Sequence, residues 1–201
     1  MVQQKQSAVT PERYSQGLTY AAYLQAIERN QKRFEENYDA TTVSAEDTAA
    51  LKELMAKRGG PAKIMVIGED WCPDVFRGLP VFQRMAEATG MELRVFMRDQ
   101  NKDLIEEFLK GGEHESIPVA VFYTKDLDYI CHFTERPDLA NREMHELLRP
   151  MYQRMNKPDM TPEEKEAAKQ EKIAFQNGPI WANWRQETIR ECIAMLREKL
   201  G

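Results

Sequence analysis

Apolar runs alternate with segments of helical periodicity through the middle of the chain. Residues 62–67 form a short apolar run between Pro61 and Gly68, which predicts a buried strand. Apolar residues then recur at helical spacing over 75–88, which predicts a helix. Cys72 therefore lies where a buried strand passes into a helix.

The same patterns continue for about sixty residues beyond this helix. They predict a strand at 91–98, a helix at 104–109, strands at 119–123 and 129–133 joined by a turn at 125–128, and a helix at 139–151. Strands and helices in this order are typical of an α/β fold with a mixed sheet.

Helices are also predicted before this stretch. Residues 1–16 are polar and expected to be mobile, and an apolar face over 18–38 predicts one helix. Ser44 followed by Asp47 resembles a capping box and predicts the start of a second helix. We expect these helices to cover the sheet or its edge.

Two further helices are predicted after the mixed α/β stretch. Thr161 followed by Pro162 predicts a helix start, and residues 177–179 end that mostly charged helix. Trp181 and Trp184 begin an apolar stripe on a final helix. We expect this stripe to pack on the rest of the chain, and a homodimer interface is the alternative use.

Composition narrows the classes of function. The 201 residues carry a net charge of −5 and no dense basic stripe, which argues against binding to nucleic acid. No apolar stretch approaches the roughly 20 residues of a membrane span, and the first residues lack the apolar core of a signal peptide. Three widely spaced cysteines without metal-ligand spacing suit reduced thiols, so we expect a cytoplasmic protein with no bound metal.

Cys72 is the strongest candidate for chemistry. The first backbone N–H groups of a helix and its dipole favour a thiolate over a thiol. Glu69, Asp70 and Asp74 place negative charge nearby, which disfavours the thiolate and offsets part of that effect. We expect a thiol that is less acidic than in strongly oxidising proteins, and an Asp74 that is either solvated or able to relay a proton.

The segment Trp71-Cys72-Pro73-Asp74-Val75 resembles the Trp-Cys-x-x-Cys active site of the thioredoxin superfamily. Pro80 matches the proline that kinks the active-site helix in that family, and Ser116-Ile117-Pro118 resembles its cis-proline loop. The resemblance spans about 62–154. It implies a thioredoxin-like mixed sheet flanked by helices, within a single domain over 1–201 that has helical extensions at 17–58 and 161–200.

The resemblance implies thiol–disulfide exchange with one cysteine, because Val75 occupies the place of the second. Cys72 would attack a protein or low-molecular-weight disulfide. Trp71, Pro73 and Asp74 would line the site, and the Ile117-Pro118 loop would hold the partner. An external thiol such as glutathione would release the mixed disulfide, and no other cofactor is implied.

The residues leave other functions open. Val66 replaces the buried aspartate of thioredoxin, and Thr134-Glu135 replaces a glycine that lets substrate backbone approach. These departures favour a redox-inert module that binds a peptide or protein in the same groove. An iron–sulfur carrier similar to monothiol glutaredoxins is a weaker alternative, because Cys-Pro-Asp-Val lacks the glycine of that motif.

Three residues outside the motif are further candidates for a role in the chemistry. Cys131 lies in a predicted strand and Cys192 on the final helix stripe, so both are expected to be buried packing residues. His114 precedes the Ser116-Ile117-Pro118 loop. Solvation in the loop is the main expectation for His114, and a role as base to Cys72 is the alternative.

Overall fold

A computed structural model of the protein describes residues 7–155, 157 and 159–201. Among these residues, four strands form one mixed sheet in the order β2-β1-β3-β4. The strands are β1 (Lys63–Gly68), β2 (Glu92–Met97), β3 (Val119–Tyr123) and β4 (Tyr129–Thr134). β1 pairs in parallel with β2, whereas the β1/β3 and β3/β4 pairs are antiparallel. The sheet confirms the predicted α/β fold class.

Helices flank the sheet and extend it at both ends of the chain. They are α1 (Pro11–Ser15), α2 (Tyr20–Ala26), α3 (Gln31–Asp39), α4 (Ala45–Ala56), α5 (Pro73–Thr89), α6 (Lys102–Ile105), α7 (Asp138–Met155), α8 (Pro162–Gln176) and α9 (Pro179–Leu200). A short 3₁₀ turn follows β2 at Arg98–Gln100, and another follows α6 at Glu106–Phe108. The helix predicted at 104–109 is therefore shared between α6 and a 3₁₀ turn. No helix in this described part is long and apolar enough to cross a bilayer.

The core is centred on β1 and α5. Residues 64–67 of β1 are fully buried, because helices cover both faces of the sheet at this inner strand. Gly90 ends α5 with a positive φ of 87° and donates its N–H to the carbonyl of Ala86. Pro80 lies inside α5 as the sequence predicts. α5 begins at Pro73, five residues after β1 ends at Gly68.

The N-terminal segment differs from its prediction. The single helix predicted over 18–38 is wrong, because Ile27 is extended and Asn30 has a φ of 59°, which separates α2 from α3. Asp70 holds this break, since its Oδ2 accepts the N–H groups of Glu28 and Arg29 at 3.1 and 2.9 Å. Hydrophobic periodicity alone does not detect a break that is stabilised by a distant carboxylate.

The first residues also depart from the expected mobile segment. Pro11–Ser15 forms α1, whose Tyr14 is buried and donates its hydroxyl to the backbone carbonyl of Glu92 at 3.0 Å. The prediction of a mobile segment is therefore wrong for α1. Residues 1–6, on which the expectation of no signal peptide also depends, lie outside the described residues.

The helix caps and the C-terminal packing agree with the sequence. Ser44 accepts the N–H of Asp47 at the start of α4, and Thr161 forms a capping box with Glu164 at the start of α8. Trp181 and Trp184 are buried, and α9 packs against α4, α5 and β4. The prediction that the tryptophan stripe packs on the rest of the chain is confirmed.

Candidate functional site

Cys72 is the N-cap residue of α5, and Pro73 is its first helical residue. Its carbonyl accepts the N–H groups of Val75 and Phe76, each at 3.1 Å, which begins the helix. The thiol Sγ lies 3.6 Å from the carbonyl oxygen of Ile117 and donates to it. The predicted strand-to-helix position of Cys72 is therefore confirmed.

The loop opposite Cys72 contains a cis peptide bond between Ile117 and Pro118. Gly78 of α5 faces this loop: a Cβ built on it would lie 3.2 Å from Cγ of Pro118. The missing side chain lets the helix approach the proline closely. Ile117 lines the cavity described next, and Pro118 lies behind it against α5.

A cavity of about 360 Å³ opens beside Cys72. This volume lies within the range of small-molecule sites, roughly 300–1,000 Å³. Its wall contains Trp71, Cys72, Pro73, Asp74, Arg98, Glu115, Ser116, Ile117, Glu135, Arg136, Met144, Leu148, Met151, Lys172, Phe175, Gln176 and Trp181. The structure thus brings five of the six predicted site residues to one cavity, with Pro118 directly behind it.

The three C-terminal helices form the far side of the cavity. Met144, Leu148 and Met151 come from α7, Phe175 from α8 and Trp181 from α9. Most of these side chains are apolar, whereas the Cys72 side of the cavity is polar and charged. The C-terminal helices and Cys72 therefore line the same cavity.

Asp74 is buried between two arginines instead of being solvated. Its Oδ1 lies 2.9 Å from Nη2 of Arg77, and its Oδ2 lies 2.7 Å from Nη2 of Arg136. Arg136 also binds the carboxylate of Glu135. The expectation of a solvated Asp74 is wrong, because these two guanidinium groups reach it from α5 and from the segment after β4.

Arg77 is only 1% exposed and connects this ion pair to α9. Its guanidinium carbon lies 5.1 and 5.5 Å from the ring centroids of Trp181 and Trp184. Its Nε and Nη1 atoms have no hydrogen-bond partner among the described residues, so the ring faces and Asp74 stabilise the buried charge. Burial lowers the pKa of Arg77.

The Cys72 thiol is a weak acid in this setting. Burial is the largest influence and raises its pKa above the ordinary value, and the charge of Asp74 raises it further. The backbone N–H groups of Val75 and Asp74, together with the charge of Arg136, lower the pKa in part. The helix start therefore acts as the sequence predicts, but burial outweighs it.

Trp71 and Arg98 form the outer rim of the site. Trp71 is 43% exposed, and the guanidinium carbon of Arg98 lies 5.1 Å from its ring centroid. Arg98 also pairs with Asp99 and with Glu115, at 2.7 and 3.6 Å. These contacts hold the indole ring at the mouth of the cavity.

Two residues that depart from the thioredoxin pattern, Val75 and Glu135, each make a close contact near the site. Val75 packs over Gly68, where a Cβ would lie 2.7 Å from Cγ1 of Val75. Glu135 follows β4 with a φ of 68° and donates its N–H to the carbonyl of Pro118 at 2.7 Å. Its backbone thus adopts the left-handed conformation that favours glycine, and this position binds the cis-proline loop.

The remaining candidates lie away from this cavity. Cys131 and Cys192 are buried, which confirms their predicted packing role, and burial raises the pKa of both, to about 11 for Cys131. His114 is exposed and does not line the cavity, so its proposed role as base to Cys72 has no support. No cluster of three or more potential metal ligands occurs among the described residues.

Sequence reasoning missed the cavity residues that are distant in the chain. The local pattern of the sequence does not identify Arg98, Arg136 or the apolar residues of α7 and α8 as residues of the site. One local signal was available: Asp74 and Arg77 are three residues apart, the spacing at which side chains meet on a helix.

Comparison with known proteins agrees with the fold. A sequence model of the family described as Thioredoxin matches residues 17–157. The match includes α2, α3 and α4 as well as the predicted resemblance over about 62–154. No curated protein matches the sequence.

Two crystal structures have the same fold. A protein of unknown function from Pseudomonas aeruginosa superposes with a TM-score of 0.64 at 17% identity, over 95% of this chain and 98% of that one. An HIV epitope scaffold gives a TM-score of 0.62 at 17% identity, over 95% and 99% of the two chains. At this identity the likeness establishes the fold alone.

Proposed function

This chain belongs to the thioredoxin family, and we propose that it carries out thiol–disulfide exchange with a single cysteine, Cys72. The position of the Cys72 sulfur is the main support for this proposal. The Cys72 sulfur lines a ligand-sized cavity and lies 3.6 Å from the carbonyl of Ile117, beside the cis bond to Pro118. A disulfide in this cavity would reach both the nucleophile and the loop.

The exchange proceeds in two displacements. Cys72 loses its proton to solvent, and its thiolate attacks one sulfur of a disulfide RSSR. A bond forms between Cys72 and that sulfur, the S–S bond breaks, and RS⁻ leaves and takes up a proton. An external thiolate then attacks the R-group sulfur of the mixed disulfide and releases the Cys72 thiolate. No second cysteine is needed, which fits a buried Val75.

The cover over the cavity favours a small substrate. Phe175 of α8 and Trp181 of α9 belong to the wall of the cavity that also contains Ile117, so the space beside the loop is limited to about 360 Å³. We therefore propose a low-molecular-weight disulfide, with glutathione or a similar thiol as the second reactant. The three free cysteines suit a reducing compartment such as the cytoplasm.

Burial of the thiol favours a second candidate function. Cys72 is 9% exposed and burial raises its pKa, so little thiolate forms at neutral pH. A redox-inert member of the family would bind a ligand in the same cavity and leave the thiol unmodified. The two functions predict opposite outcomes when the protein meets a disulfide.

The test uses the native protein and oxidised glutathione. Intact mass after incubation at pH 8 measures the adduct, and excess thiol should reverse it. Exchange predicts one reversible adduct that Cys72→Ser abolishes and Cys131→Ser retains. Absence of any adduct, with alkylation of Cys72 starting only in the strongly alkaline range, would favour the binding function.

A further inference from the structure

A second cavity adjoins the Cys72 cavity along α7. It has a volume of about 570 Å³, and the two cavities share Arg136, Met144 and Leu148 in their walls. The second cavity extends along α7 from Asn141 to Gln153. Twelve residues of α-helix span about 18 Å. The shared residues make one elongated cleft that begins at Cys72.

The second cavity is lined by basic side chains and by no acidic ones among the described residues. Arg136, His145 and Arg149 line it, together with the amides of Asn141 and Gln153, and no carboxylate belongs to its described lining. Arg149 is exposed and has no ion-pair partner in the part of the chain that the structure describes. Arg136 also lines the Cys72 cavity, where Asp74 and Glu135 pair with it, so the cation that distinguishes the second cavity is Arg149.

Arg136 connects the two cavities. Its Nη2 binds Asp74 at 2.7 Å on the Cys72 side, and its Nε is buried without a hydrogen-bond partner among the described residues. Met144 and Leu148 give an apolar surface beside it. A ligand along this path would meet a thiol first, then an apolar surface, then the guanidinium of Arg149.

We propose that this cleft binds a low-molecular-weight thiol or disulfide whose apolar chain ends in an anionic group. The sulfur would lie at Cys72, the chain along Met144 and Leu148, and the carboxylate or phosphate near Arg149. Burial of the chain supplies affinity, and the unpaired cation selects the charge. The inference rests on the proposed exchange function and names the class of its substrate.

The first test compares matched disulfides of 6-mercaptohexanoic acid, 6-mercaptohexyl phosphate and 6-mercaptohexan-1-ol. Rates of adduct formation at Cys72 are measured at low salt. We expect both anionic disulfides to react faster than the alcohol, and the better of the two identifies carboxylate or phosphate as the preferred end group. Equal rates for all three probes would overturn the proposal.

Substitutions on α7 locate the selectivity. Exposed charge pairs contribute up to about 1 kcal/mol, so Arg149→Gln should reduce the anion preference by up to about fivefold, and Arg149→Lys should retain most of it. Arg142→Gln is the matched control, because Arg142 is exposed on the same helix and lines neither cavity. Equal losses in both glutamine variants would refute a role for the cavity.

A binding measurement separates this proposal from the exchange function. The Cys72→Ser variant is titrated with 6-(methylthio)hexanoate and with 6-(methylthio)hexan-1-ol. Tryptophan fluorescence reports binding because Trp71 and Trp181 line the cavity. Tighter binding of the acid, lost in Cys72→Ser/Arg149→Gln, supports the ligand class even if native protein forms no adduct. Adduct formation without anion preference in either assay supports exchange and rejects this ligand class.

Discussion

Replacing Asp74 with asparagine should destabilise the fold and at the same time activate Cys72. Asp74 is the shared counterion of Arg77 and Arg136, at 2.9 and 2.7 Å. Arg77 is almost fully buried, so Asp74→Asn leaves a guanidinium charge without its anion. Removing one partner of a buried ion pair typically costs about 3–5 kcal/mol. We expect a loss near the lower end, because asparagine keeps one acceptor oxygen.

Urea unfolding, followed by tryptophan fluorescence, measures this loss. A cost of about 3 kcal/mol lowers the urea midpoint by about 1–3 M at typical m-values. Asp103→Asn is the matched control, since the Asp103 carboxylate pairs with Arg13 at the surface and is worth at most about 1 kcal/mol. Asp74→Asn/Arg77→Met removes the orphaned charge as well and should recover part of the stability.

The same variant should increase the reactivity of Cys72. The charge of Asp74 raises the pKa of the thiol, and Arg136 lowers it. Without the carboxylate the pKa falls, so alkylation at a fixed pH below that pKa becomes faster. A variant that is as stable as the native protein, or whose Cys72 reacts more slowly, would refute the assignment of Asp74 as the buried counterion of two arginines beside the thiol.

Four further outcomes follow from burial, close contact and capping. Alkylation of native Cys72 should accelerate as the pH rises above neutrality, while Cys131 reacts only after unfolding. Burial raises the pKa of Cys131 to about 11, above an unfolded value of about 8.5. The free energy of unfolding should therefore fall as the pH rises from about 8.5 to about 11, and it should fall less in Cys131→Ala. Gly68→Ala should cost about 1–3 kcal/mol by overpacking against Val75, and less in a Val75→Ala background, as a double-mutant cycle of urea unfolding would measure. Thr161→Ala should cost about 1 kcal/mol and speed hydrogen exchange in α8, whereas unchanged exchange would contradict the capping role.

Local sequence signals predicted the position of Cys72 and of the two prolines around it. Cys72 at the helix start, Pro73 in the first turn and Pro118 in the facing loop each depend on a few neighbouring residues, and the structure agrees with all three. Turn and capping chemistry acts over three or four residues, so it can be read directly from the chain.

Long-range contacts were not predictable in the same way. Arg136 reaches Asp74 across 62 residues, and side chains from the last three helices line part of the cavity beside Cys72. Nothing in the local pattern of Asp74 distinguishes a solvated carboxylate from one between two arginines. For the same reason, sequence reasoning judged the thiol from its helix start and its acidic flank and missed the desolvation that decides its pKa.

The contact of Arg77 with Trp181 and Trp184 has a consequence for biosynthesis. Translation adds about 5–20 residues per second, so the two indole rings emerge several seconds after the strand and helix that carry the nucleophile. During that interval the guanidinium of Arg77 has no aromatic cover, and the wall that α8 and α9 give to the Cys72 cavity is not yet in place. Cys72 should therefore react with low-molecular-weight disulfides most readily on the nascent polypeptide, before α9 docks.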